Sequence, residues 1–181
     1  MSNNKAYIKI DNNKNINLVI DSLNQSFESI DYEIHNNIIK LYCKHDAFLL
    51  RLTNIHKLLI QDFNMKNSIL VVPFFNEIFE KYINLLGVEI LTSYQLFIRL
   101  INDDNVKVDL KLLQSKFSKQ DIDTIKAFID CNCNICVCAN ELYLHRNSLN
   151  YRINNFINNT SIDIRDFHSL MFLQLMFSIN K

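Results

Sequence analysis

Between Cys131 and Cys138 the chain reads CNCNICVC, placing four of its five cysteines in one short stretch. Thiolates at this spacing could hold Zn or Cu(I), and Cys131, Cys133 and Cys136 could answer to an oxidant. A few residues on, His145, Arg146, Asn147, Ser148, Asn150, Tyr151 and Asn154 offer different chemistry. They supply hydrogen-bonding groups of the kinds that read base edges and hold phosphates. His35, His45 and His56 are scattered, and each is read as an ordinary surface or core histidine. A single glycine, Gly87, leaves no room for a glycine-rich phosphate loop. No nucleophile elbow and no HExxH pair is present. The expectation is a protein that is not an enzyme and needs no cofactor.

The 181 residues can bury one good core, or hold one moderate domain and a second small one. Nineteen basic and 19 acidic residues cancel, so any nucleic-acid site must arise from local arrangement rather than a basic coat. Asparagine is abundant, in a skew of the kind an AT-rich genome writes, and it can take the left-handed turn positions that glycine would otherwise fill. The N-terminus, MSNNKAYIKIDNNKNIN, is polar and lacks the apolar core of a signal peptide. No apolar run approaches the ~20 residues that span a bilayer. An odd number of cysteines without an export signal points to reduced thiols in a cytoplasm.

The elements that must position these groups follow from periodicity. Ile16, Val19, Ile20, Leu23, Phe27 and Ile30 form one helical stripe. Residues 32–43 predict two short strands about an Asn36-Asn37 turn. Residues 46–63 fit strand or helix, and SILVV (68–72) begins a buried strand. From Pro73, the spacing of Phe75, Ile78, Phe79, Tyr82 and Leu86 predicts a helix stopped by Gly87. A further helix is expected over 93–101, and the polar stretch 102–109 marks the join between two units. The fold class expected is α+β, mostly helical: a mixed α/β sensory or interaction domain over 1–108, then an all-α domain over 109–181.

Ser118 and Asp121 make a capping-box pair for a helix whose buried face is Ile122, Ile125 and Ile129. Ile135, Cys138, Ala139 and Leu142 give a second, short helix its buried stripe. That places Cys138 in the core and Cys131 and Cys133 in the link, which favours packing over a metal cage. A tight turn then leads to RNSLNYRINNFINN, with Leu149, Ile153 and Phe156 facing inward. Asn147, Asn150, Tyr151, Asn154 and Asn158 face out. Short helix, tight turn and a helix with a polar outer face together make helix-turn-helix logic. Residues 142–162 contain no Asp or Glu, so the stretch is locally positive through Arg146 and Arg152.

This region resembles the C-terminal helix-turn-helix domain of the PucR/CdaR-type bacterial transcription regulators. The resemblance rests on His145, Arg146, Asn147, Ser148, Leu149, Asn150, Tyr151 and Arg152, which match the family's HRN[ST]LxYR string. Thr160, Ser161, Ile162, Asp163 and Ile164 match its following Thr-Gly-Leu-Asp-Leu without a gap. It covers about a third of the chain. It implies binding of double-stranded DNA through His145, Arg146, Asn147, Ser148, Asn150, Tyr151 and Asn154. The family often has Arg at the site of Asn150 and basic residues at Asn154 and Asn155, so affinity should be weaker or more dependent on dimerisation. A homodimer is expected, with Leu170, Leu173, Met176 and Phe177 of the apolar last helix as its surface. An unknown small-molecule effector remains open, and no membrane is involved. The alternative reading is a protein-interaction or sensory module whose helix-turn-helix no longer binds DNA.

Overall fold

The computed structural model describes residues 4–179. The chain divides into two compact units, Met1–Ser93 and Tyr94–Lys181.

The first unit is built on a five-stranded sheet in the order β2-β3-β1-β4-β5. Its strands are β1 (Asn4–Ile10), β2 (Ile30–His35), β3 (Ile38–Cys43), β4 (Asn67–Val72) and β5 (Ile90–Thr92). β1 lies at the centre, antiparallel to both β3 and β4, while β2 pairs antiparallel with β3 and β5 parallel with β4. Helices α1 (Ile16–Ser26), α2 (Phe48–Gln61) and α3 (Glu77–Leu85) connect them. Up to β4 the order β-α-β-β-α-β is the split βαβ, or ferredoxin-like, arrangement. Alternation along β1 assigns its two faces. Ala6, Ile8 and Ile10 join Val19 and Leu23 of α1 and Leu52, Ile55 and Leu59 of α2 in one core. On the opposite face the Tyr7 ring meets Phe75 edge-on at 4.8 Å. β2 is an edge strand with Asp31, Tyr32, Glu33, Ile34 and His35 exposed.

Several sequence expectations hold here. The helix read from Ile16 to Ile30 forms but stops at Ser26, since Phe27 is extended and Ile30 opens β2, and the hairpin turns at Asn36, whose φ is 54°. The ambiguous 46–63 stretch is the helix α2. Other expectations need correction. The helix predicted from Pro73 begins at Glu77, because Asn76 takes an extended conformation and accepts a hydrogen bond from the Ile78 N–H (3.0 Å). Phe75 therefore lies outside the helix. β1 lies within the polar N-terminal segment, and pairing with β3 and β4 on both sides makes it a strand.

The second unit is helical: α4 (Ser93–Arg99), α5 (Asp104–Gln114), α6 (Lys119–Asp130), α7 (Ile135–Glu141), α8 (Arg146–Thr160) and α9 (Phe167–Ser178). The polar stretch 102–109 contains the Asp103 cap and the first half of α5, whose Val106, Leu110 and Leu113 are buried. α9 packs against α5 and α6. Phe172 lies 5.7 Å from Phe97, and Phe117 lies 5.7 Å from Phe156 and 6.3 Å from Phe177, between ring centres. Leu173, Met176 and Phe177 are buried, so three of the four residues expected to join two chains are core, leaving Leu170 half-buried. Among the described residues no helix is long and apolar enough to cross a membrane. The protein is α+β and mostly helical, with a small mixed sheet in its N-terminal unit and an all-helical C-terminal unit.

Candidate nucleic-acid interface

α6, α7 and α8 form a three-helix arrangement, each packed against the other two. Local chemistry sets every boundary. Ser118 and Asp121 close the capping box at the start of α6, with the Asp121 N–H donating to Ser118 Oγ at 3.1 Å. α6 buries Thr124, Ile125 and Phe128, with Ile122 and Ile129 only half-buried, so its inner face is rotated from the predicted isoleucine stripe. The link 131–134 takes positive φ at Asn132 (52°) and Cys133 (61°). Asn134 then caps α7, its Oδ1 accepting from the N–H groups of Cys136 (3.0 Å) and Val137 (3.2 Å).

The α7–α8 turn is a Schellman motif. The Leu144 N–H donates to Ala139 O (2.8 Å) and the Tyr143 N–H to Asn140 O (3.0 Å), with Tyr143 left-handed at φ 53°. His145 caps α8, its Nδ1 accepting from the Asn147 N–H at 3.2 Å. That bond requires Nδ1 without a proton, so the ring's N–H is at Nε2.

From this cap α8 presents its two faces. Leu149, Ile153 and Phe156 are buried, as the periodicity predicts. Arg146, Asn147, Ser148, Tyr151 and Asn154 are exposed and Asn150 is half-buried, so the seven expected residues lie in one contiguous run at the start of α8. Among the described residues the side chains of Arg146, Asn147, Ser148, Asn150, Tyr151 and Asn154 take part in no hydrogen bond or ion pair. The nearby cation Arg165 is engaged: it makes two hydrogen bonds to the Asp163 carboxylate, at 2.9 and 3.1 Å. Burial opposes the Asp163 charge, but these bonds prevail and hold its pKa below the usual carboxylate range. Arg152 lines a cavity of about 330 Å³ between α6 and α8, with Ser118, Asp121, Thr124 and Asn155.

The cysteines differ in setting, and only the Cys131 and Cys138 thiols lie side by side. Cys138 is buried on α7, Cys131 is half-buried at the end of α6, and Cys133 and Cys136 are exposed; all are free thiols. Burial, with the Cys131 thiol beside it, pushes the Cys138 thiol up to about 11. Among the described residues no three His, Cys, Asp or Glu side chains gather as metal ligands. In the first unit the three histidines serve local structure. His56 Nδ1 meets Asn67 Oδ1 at 2.7 Å, His45 Nδ1 accepts from the Ala47 N–H at 3.1 Å, and His35 sits 3.6 Å from Glu33.

A short scaffold helix, a fixed turn and a longer helix with an acid-free polar face define a helix-turn-helix domain. Residues 122–179 match, more particularly, the PucR C-terminal helix-turn-helix domain. The chain is similar to YxkF, an uncharacterized protein of Bacillus subtilis strain 168, at 52% identity over 44 residues, which is 24% of this chain and 15% of that one. It is similar to the proline-responsive transcriptional activator PutR of the same organism at 37% identity over 73 residues, 38% of this chain and 18% of that one. These matches therefore span less than a fifth of either relative's own length. A solved structure, a regulator of polyketide synthase expression from Bifidobacterium adolescentis, aligns with 99% of this chain and 81% of its own, at 15% identity and a TM-score of 0.44.

Proposed function

We propose that the chain is a DNA-binding transcription regulator that inserts α8 into the major groove. One observation carries this reading: α8 carries Arg146, Asn147, Ser148, Asn150, Tyr151 and Asn154 with no partner among the described residues, in a stretch without Asp or Glu. Arg146, Asn147 and Asn150 offer hydrogen bonds to base edges, Arg to guanine and Asn to adenine. Ser148, Asn154, Tyr151, the His145 Nε2–H and backbone amides position the domain on phosphates and sugars. With so few cations, one domain releases few counterions, and a homodimer on a symmetric site would double the contacts. Such a dimer must use surface other than the buried stripe of α9. Its setting is a bacterial cytoplasm, and an effector would act through the sheet-bearing N-terminal unit, with the helical C-terminal unit as the reader.

The second reading, an interaction module that no longer binds DNA, draws support from asparagine at positions 150, 154 and 155. Fluorescence anisotropy of the full chain with a pool of mixed-sequence duplexes separates the two. The regulator gives binding that weakens steeply as salt rises, whereas no binding at low salt would establish the module.

A further inference from the structure

Tyr143 is the most exposed large hydrophobic side chain among the described residues, with 97% of its surface open, and it occupies the left-handed position of the α7–α8 turn. Both facts run against stability. The left-handed position of a Schellman motif suits glycine or asparagine, and a bulky aromatic there is strained. Among the described residues asparagine stands at three of six positive-φ positions, namely Asn36, Asn64 and Asn132, so the alternative is well within the chain's means. The ring gains nothing in return from burial, and its hydroxyl has no partner among the described residues. Strain of this kind persists where the surrounding structure enforces it, and it gathers at binding sites. The turn is enforced here by the hydrogen bonds to Ala139 and Asn140 on one side and the His145 cap on the other. It also sits immediately before the N-terminal end of α8, the end that a recognition helix presents to the groove.

Resting on the reading of α8 as the DNA reader, we propose that Tyr143 is a phosphate-binding residue of the interface, its phenol O–H donating to a backbone oxygen beside the groove that α8 enters. A neutral donor on phosphate positions the helix without reading sequence and without releasing a counterion. Tyr143→Phe removes the donor alone, and Tyr143→Gly removes the ring and relieves the strain. The full-length variants are titrated by anisotropy against two short duplexes of unrelated sequence over a salt series, with thermal melts alongside. Tyr143→Phe should lose affinity several-fold, by the same factor on both duplexes, with the wild-type slope of log K against log salt. Tyr143→Gly should lose at least as much while melting higher than wild type, which excludes misfolding as the cause. Wild-type affinity in Tyr143→Phe overturns the contact, as does a loss confined to one duplex. If the wild-type chain binds neither duplex, the reading of α8 itself fails and takes this contact with it.

Discussion

The two units treat their polar side chains in opposite ways. In the first, polar groups turn inward and are held: Lys5 Nζ donates to Pro73 O (3.3 Å), the Tyr7 hydroxyl donates to Asn76 O (3.1 Å) and accepts from the Asn76 N–H (2.9 Å), and His56 meets Asn67. Burial raises the Tyr7 pKa and lowers that of Lys5, so both are tuned toward neutrality by the same cause. Lys40 and Glu80 also form an ion pair there. In the second unit the polar run on α8 has no hydrogen-bond or ion-pair partner among the described residues. Polar groups buried in a fold find partners within it, whereas exposed ones are satisfied by water and stay available to an outside partner.

The largest effect should come from removing what supports the open face. Phe128→Ala empties a fully buried site beneath α7 and α8 and should cost ~3–5 kcal/mol in urea unfolding, with duplex binding lost. A variant as stable as wild type would show that this core does not carry the domain. A smaller effect tests the inward-turned groups. Asn67→Ala leaves the buried His56 unpaired and should cost ~1–3 kcal/mol of stability. Unchanged duplex affinity is expected, and a matching loss of affinity would blur the contrast between the units.

Arg146→Ala is the mirror image. It should weaken duplex binding by ~1–3 kcal/mol and relax the base preference at its contact, while stability stays within ~0.5 kcal/mol. Gel-shift titration at moderate salt checks this, and wild-type binding would remove α8 as the reader. The smallest effect concerns Asp163. Its pKa is depressed in the folded state, so its contribution is present above the ordinary carboxylate value and is lost as pH falls through the folded one. Asp163→Asn should therefore lose up to ~1 kcal/mol at neutral pH, since the half-exposed Arg165 is screened by water. Variant and wild type should begin to converge near the ordinary carboxylate value and meet only below the lower folded one. A difference that persists there would mean the charge is not the cause.

How legible each part is in sequence follows from how local its causes are. The Ser118–Asp121 capping box and the inner face of α8 depend on spacing within one helix, and both can be read directly. β1 owes its burial to strands on both sides, and only the weak alternation of Ala6, Ile8 and Ile10 against Lys5, Tyr7 and Lys9 hints at it. α9 is apolar nearly all round, so no stripe reveals which side is core, and packing on α5 and α6 decides. The outward run on α8 is legible as a face, but its freedom from partners is not. Arg165 and Arg146 look alike in sequence, and only the fold engages one with Asp163. Tyr143 is hidden for another reason: the usual sign of a left-handed helix end is glycine or asparagine, and here neither stands.

The open edge of the sheet at β2 has a consequence for life in a crowded solution. The chain carries no net charge near neutrality, so copies feel little overall repulsion. An unpaired strand bearing Tyr32 and Ile34 would invite a neighbour to add its own strand and begin a ribbon. Asp31 and Glu33 alternate with those two residues along the same edge and place like charges where an identical strand would dock. In place of global charge, two carboxylates guard the colloidal behaviour of the molecule. A variant neutral at both should precipitate on concentration although its fold and its affinity for duplex are intact.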